Sequence, residues 1–480
     1  MPGRGVVAGG HESVSAAGAE LLEGGGNAFD AAVAAGFAAC VAEPMFTSLG
    51  GGGFLLAHTG SGGASLHDFF VDAPGRGLDA EALEPHFLPF TVRFPASEQV
   101  FNMGRGSVAT PGTLRGLLHV HEALGRAPLS RVIEPAARLA RTGLELNEHQ
   151  AYVQEMLFPM LTLTPAGRAI YAPEGRGLRQ GDRLVNADLA AFLDELPADR
   201  GRGFYQGSLA REIARDMREG QGLLTAEDLA GYRVLARDPL EFAYRGRRIL
   251  TNPRPARGGE LIAFALAELE RGGDVVPGWG SADHAVALAG AMEAAERSRG
   301  APAAGGTTHV SVADAEGNAA SLSLSNGEGS GYIAPGTGIL LNNMLGEDDL
   351  HAAPAGERVG SMMSPTLVFE GAAVRLVAGS GGSKRIRSAM VQVITAVLDF
   401  GMDLCSAVEA PRLHWDGEHV QAEPGFSPAA LEALRARWPV NTWDERNLYF
   451  GGVHAVTPGT AAAGDPRREG HGRVVPSPDG

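Results

Sequence analysis

Apolar and small polar residues alternate through "THVSVADAEGNAASLSLS", Thr308 to Ser325, with one break at "DAEGN". Period-two alternation puts one set of side chains on each face of a strand, and turn formers in the middle fold such a run into a hairpin. "TLVFEGAAVRLVAGS" repeats the design, and "IRSAMVQVITAVLDFGM" behind it reads as a long apolar helix ending at glycine. Upstream, "SAAGAELLEGGGNAFDAAVAAGFAACVAEP" predicts two small-residue helices joined at Gly24–Gly26, and "GGGGFLLAH" a glycine turn feeding a buried strand. Helices are expected from Thr110 to Asn147, a capping box in "LLTAEDLAGY", a strand in "YRGRRILTNP" and a further helix in "GELIAFALAELERGG". Strand pairs with helices before and after them predict an α+β fold of packed sheets flanked by helices. "APAAGG", residues 301–306, reads as an exposed linker, and the tail "PRREGHGRVVPSPDG" as an irregular terminus.

The chain is 480 residues long, 44% hydrophobic and 20% charged, enough to bury a large core. Its net charge of −16 excludes nucleic acid and anionic membranes as expected partners. No stretch of about 18 strongly apolar residues is present, so no membrane span is predicted. The start "MPGRGVVAGGHES" lacks the pattern of a secretion signal, and a cytoplasmic location is the expectation. Cys40 and Cys405 are the only cysteines, too few for a disulfide framework or a thiolate metal site. "HVHE" offers His119 and His121 without a third ligand and reads as helical surface, so no metal or cofactor is expected. G-x-S-x-G, H-E-x-x-H and the phosphate-loop pattern are all absent, and "GGGG" at 50–53 lacks the dinucleotide spacing.

The chemistry centres on Thr307, where "GGTTHVSVAD" opens the first strand of the hairpin with a hydroxyl after two glycines. A threonine hydroxyl is a weak nucleophile unless a base sits beside it. Breaking the bond before Thr307 supplies that base from the same residue, as an α-amine with a pKa of about 7.7–8.0. A plain glycine linker before a hairpin would look the same on these residues alone.

The neighbouring motifs add a resemblance. "TTHVSVADAEGNA", "PGTGILLNNML", "MMSPTLV" and "GSGGSKRIRSA" are similar to the γ-glutamyltransferase family of N-terminal nucleophile (Ntn) hydrolases. So are "GGNAFDAAVAA", "EPMFTSLGGGGFLL", "VATPGTLRGL", "GLLTAEDLAGY" and "GDPRREG", in the family's order. The resemblance implies a four-layer αββα sandwich, self-cleaved at Gly306–Thr307 into a large subunit, 1–306, and a small one, 307–480. The two would stay together as a heterodimer, with further oligomerisation left open. It implies Thr307 as nucleophile, Thr308 as the neighbour that steadies it, Ser325 as an orienting hydroxyl, and Gly381 and Gly382 as donors to the oxyanion. The substrate would be a small amide or peptide, its acyl group passing to water or an amine, without cofactor.

Departures fall in the substrate pocket. Phe70 in "FFVDAP" stands where the family has the arginine that holds a glutamyl α-carboxylate. Ser361 keeps one of a serine pair, whereas Met362 replaces the other, and Met344 replaces a glutamine. Glu347, with Asp348 adjacent, is expected to hold the substrate amine, and Asn326 stands for the family's asparagine. Losing a bidentate arginine contact to a carboxylate is a large change in recognition. Either Arg105, Arg254 or Arg358 replaces it, or the acyl group is non-glutamyl and more apolar. A catalytically silent protein that only binds a small amide is a further alternative.

Overall fold

The computed structural model describes residues 4–79, 84–94, 97–273, 278–297, 306–346 and 353–477. Two antiparallel sheets form its centre. The larger has seven strands, in the order His471–Val475, Gly5–Gly9, Thr308–Asp314, Ala319–Ser325, Gly52–His58, Ala64–Phe69, Leu235–Arg237. The second has six, in the order Ala461–Ala463, Gly452–Thr457, Ala373–Gly381, Thr366–Glu370, Arg247–Thr251, Leu240–Tyr244.

Alternation along the strands decides what each face buries. Val7, Leu55, Val310, Val312, Leu322 and Leu324 join a core with helix Ala28–Ala42. Their strand neighbours Val6, Ala8, Phe54 and Leu56 join the core of the second sheet, with Leu376, Val377 and helix Arg385–Leu398. The two sheets are also stitched by polar contacts, Ser311 Oγ donating to the His454 carbonyl at 2.9 Å and Ser321 Oγ to that of Ala378 at 3.0 Å. Burying those hydroxyls is tolerable because each finds an acceptor.

Helix Ala28–Ala42 is buried at every position, which its nearly all-small composition permits. Asn27 and Asp30 close a capping box at its start, and the side chain of Asp314 accepts the Ala28 N–H at 2.8 Å. Asp314 also accepts the N–H groups of Glu316 and Asn318 in the hairpin turn, at 2.9 and 3.0 Å. One residue thus sets the turn and ties it to the helix that carries Glu43 just past its last residue.

Most element expectations agree with the structure: the helices expected between Thr110 and Asn147 run Thr113–Leu124 and Leu129–Thr142, and Thr225 with Asp228 forms a capping box. Residues 301–305 of the expected linker lie outside the described residues. The tail differs. It contains a 3-10 turn, Pro466–Arg468, and the strand His471–Val475, which pairs with Gly5–Gly9 as an edge of the seven-stranded sheet. Arg467 is anchored there by Asp465, two residues before it, and by Glu423, 44 residues away in the chain. His121, expected on the helix surface, is buried, its Nε2 2.8 Å from the Ala127 carbonyl oxygen. Among the described residues no helix is long and apolar enough to cross a membrane.

Candidate active site

Thr307 is buried and lies just before strand Thr308–Asp314. Three parts of the chain, two of them distant in sequence, hold the peptide around it. Arg468 Nη1 donates to the Thr307 carbonyl at 2.7 Å. The Thr308 hydroxyl donates to Glu43 Oε2, also at 2.7 Å. Ser325 Oγ, at the end of the neighbouring strand, donates to the Gly306 carbonyl and itself accepts the Gly327 N–H at 3.1 Å. The carbonyl of the bond expected to break is therefore already polarised by a hydroxyl.

Gly381 ends its strand against the same peptide: a Cβ there would overlap the Thr307 carbonyl and approach Arg468 Nη1 to 2.6 Å. Gly382 follows at φ +121°, a conformation that disfavours any side chain. Thr307, Thr308, Ser325, Gly306 and Gly381 thus converge on one point.

Burial shapes the charges around it. It pushes the Glu43 carboxyl up to about 7, against the pull of the Thr308 hydroxyl and the Arg468 charge. Glu43 Oε1 has no hydrogen-bond partner. Arg468 is driven down to about 10 by burial despite the nearby Glu43 and Asp465, and lies 4.6 Å over the Phe46 ring. Behind the strand, burial keeps His309 well below its usual range, and its Nδ1 lies 2.8 Å from Ser323 Oγ. Among the described residues no three His, Cys, Asp or Glu side chains gather as a metal-binding group.

The loop after Ser325 carries the expected Asn326 and adds Glu328, which the motifs do not single out. Asn326 is wholly buried, and both atoms of its side-chain amide lack partners. Glu328 is buried next to it; burial pushes its carboxyl up to about 7, while the Asn343 amide, the Gly306 N–H and the Arg385 charge pull the other way. Glu43, Glu328 and Arg468 left only faint signals: an acid closing an alanine-rich helix, an acid between glycines in "NGEGSG", and an arginine in "GDPRREG".

The departures from the family's pocket share one apolar cluster. Phe70 is buried there with Met344, Met362 and Met363, and stacks on Phe54 with ring centroids 5.5 Å apart. Ser361 Oγ accepts the Met363 N–H at 3.1 Å. Glu347 and Asp348 lie outside the described residues. Two of the three candidate replacement arginines are occupied. Arg358 is a buried structural tie, with Nε on Asp72 and Nη1 on Asp68, each at 2.8 Å, and further bonds to the carbonyls of Phe70 and Arg233. Arg254 is mostly exposed and paired with Glu260 at 2.6 Å. Arg105 lies 5.3 Å over the Tyr332 ring.

Comparison with known proteins decides the family. The family model described as gamma-glutamyltranspeptidase matches residues 14–302 and 280–475. The chain belongs to that family. It is 32% identical to the glutathione hydrolase proenzyme of Escherichia coli K12, covering 90% of this chain and 85% of that one. An acylase proenzyme of a Pseudomonas strain is also 32% identical, over 90% of this chain and 86% of its own. Among solved structures, cephalosporin acylase from Bacillus halodurans superposes with a TM-score of 0.84 at 25% identity, covering 98% of this chain and 96% of that one. This gamma-glutamyltranspeptidase relative is an acyl-transfer hydrolase of mixed α/β fold.

Proposed function

We propose that the chain is a proenzyme that cuts itself at Gly306–Thr307 and then works as a Thr307-dependent amide hydrolase and acyltransferase. The observation that carries this is the convergence at Thr307, with the Gly306 carbonyl on the Ser325 hydroxyl and Gly381 directly against the nucleophile's own carbonyl. Relatives named as proenzymes support the same reading. In the first event the Thr307 hydroxyl attacks the Gly306 carbonyl, the C–N bond breaks as an ester forms, and water releases the Gly306 carboxylate. The fragments 1–306 and 307–480 then remain a heterodimer in an αββα arrangement of helix, sheet, sheet and helix.

In turnover the freed α-amine of Thr307 takes the hydroxyl proton as Oγ attacks the substrate carbonyl, and hands it to the departing amine. N–H groups of Gly381 and Gly382 hold the oxyanion, where each such donor is worth about 2.7–4 kcal/mol. Thr308, Glu43 and Arg468 position the nucleophile. Water, or an acceptor amine, then resolves the acyl-enzyme.

The acyl side favours an acylase-like substrate over a γ-glutamyl one. Phe70 offers no donor to a carboxylate, and the Arg358 guanidinium is fully engaged within the fold. A buried carboxylate without partners costs several kcal/mol. N-terminal sequencing tests the proenzyme reading: a purified sample should show a second N-terminus at Thr307, and Thr307→Ala should stay one chain. Cleavage elsewhere, or persisting in that variant, would refute it.

A further inference from the structure

Among the described residues, Glu328 is an acid that the fold holds against the acyl side of the bond expected to break. The Gly306 N–H hydrogen-bonds to its carboxylate, and a Cβ on Gly306 would come within 2.6 Å of the Gly327 carbonyl. Residue 306 therefore lies across the loop that carries Glu328. That loop is built to aim one side chain: Gly327 and Gly329 take φ of +61° and +101° on either side of Glu328. Asn343 pins it, Oδ1 accepting the N–H groups of Glu328 and Gly329 at 2.9 and 3.1 Å while Nδ2 reaches the Asn102 carbonyl at 3.2 Å.

Besides the Gly306 N–H, the Glu328 backbone N–H and the Asn343 amide serve the carboxylate. Asn343 Nδ2 stands 3.5 Å from Oε2, and the facing cation, Arg385, spends its Nε on the Tyr449 carbonyl at 2.9 Å. Beside it the Asn326 amide is wholly buried with neither atom bonded. Buried polar groups without partners are rare in folded proteins and call for a physical reason. On the self-cleavage reading, on which this argument rests, Gly306 becomes a free end and its N–H can withdraw. The carboxylate then keeps a preset position and loses a donor.

We infer that Glu328 determines specificity in the processed site, taking an ammonium group on the acyl part of the substrate where it held the Gly306 N–H before. The implied class is amides of short aminoacyl groups that carry an amino group and no carboxylate. The acid offers the ammonium a charge-assisted bond, whereas Phe70, at the place of the family's arginine, offers a second, anionic group no donor. Gly306 is itself the template: its nitrogen stands one carbon from the scissile carbonyl, so glycyl, β-alanyl and 4-aminobutyryl amides sample the reach of Glu328.

The test uses purified, processed protein and matched p-nitroanilides: each of those three acyl groups against its counterpart lacking the amine, and γ-glutamyl beside 4-aminobutyryl. At least one amino substrate should exceed its amine-free counterpart about tenfold or more in kcat/KM, and 4-aminobutyryl should exceed γ-glutamyl. Glu328→Gln should bring the amino preference down toward one, and Glu328→Asp should keep part of it. A wild-type preference near or below one in all three pairs overturns the inference, as does a preference unchanged in Glu328→Gln. Should Glu328→Gln not mature, the wild-type pairs alone decide. A sample without a Thr307 N-terminus refutes the proenzyme reading instead, so the two failures are told apart.

Discussion

Gly381 shows how little freedom a residue beside a nucleophile has. A methyl group there would enter the space of the Thr307 carbonyl oxygen, which is already fixed by Arg468. Backbone cannot yield as a flexible side chain could, so Gly381→Ala should displace Thr307 while leaving the cores of both sheets intact. Maturation of that variant should slow by about a hundredfold or more, the scale of losing one oxyanion donor. A time course of fragment appearance on a denaturing gel, with circular dichroism to confirm folding, checks it. Wild-type maturation in this variant would mean that the close approach has no bearing on the chemistry.

At the scale of elements, helix Ala28–Ala42 delivers Glu43 to the nucleophile strand, and that delivery carries a pH dependence. The Glu43 carboxyl moves from an ordinary 4.5 up to about 7 because burial penalises its charge. A carboxyl raised on folding binds protons as the chain folds. Its contribution to stability is complete below 4.5 and is lost as pH rises through about 7. In the uncut Thr307→Ala background, Glu43→Gln should reduce the fall in stability between about pH 5 and 8 by about 2 kcal/mol. Urea unfolding at both pH values measures it, and equal falls in the two proteins would remove Glu43 from this role.

Elements also show what could be read from the chain and what could not. Hairpin 308–325 was legible because alternation and turn chemistry are local, and the Ala-rich helices because small residues can pack on every side. Thr307, Gly381 and Ser325 were reachable through motif and register. Glu43 and Arg468 were not, because their meaning comes from partners 265 and 161 residues away in the chain. Strand His471–Val475 was missed for the same reason: its apolar content is slight, and it is a strand only because Gly5–Gly9 offers an edge to pair with. Phe70 belongs in the structure to an apolar cluster, and Arg358, a candidate substitute for the family's arginine, is a structural tie.

For the whole molecule, the proposed cut falls between parts that share their sheets. Strand Gly5–Gly9 has Thr308–Asp314 on one side and His471–Val475 on the other, and Ala319–Ser325 pairs with Gly52–His58. Arg247–Thr251 pairs with Thr366–Glu370 in the second sheet. After cleavage these seams join two chains, so unfolding in denaturant would separate partners that folded as one. Refolding of the mature protein should depend on concentration and fail at high dilution, whereas Thr307→Ala should refold equally well at any dilution that avoids aggregation. Yield after dilution from urea, followed by size-exclusion chromatography, tests this; equal, dilution-independent yields would show that the fragments hold together without the seams.

The meeting of Glu43, Ser325, Gly381 and Arg468 around one peptide has a consequence for quality control. None of the four is near Thr307 in the chain except Ser325, and they gather only when both sheets and the helix Ala28–Ala42 packed on the larger one are complete. On the proposed cleavage, a chain with a missing strand or a slipped register has no means of cutting itself. The new N-terminus is therefore a certificate of correct assembly, issued by the fold to itself, and a misbuilt copy stays inert without any outside inspector.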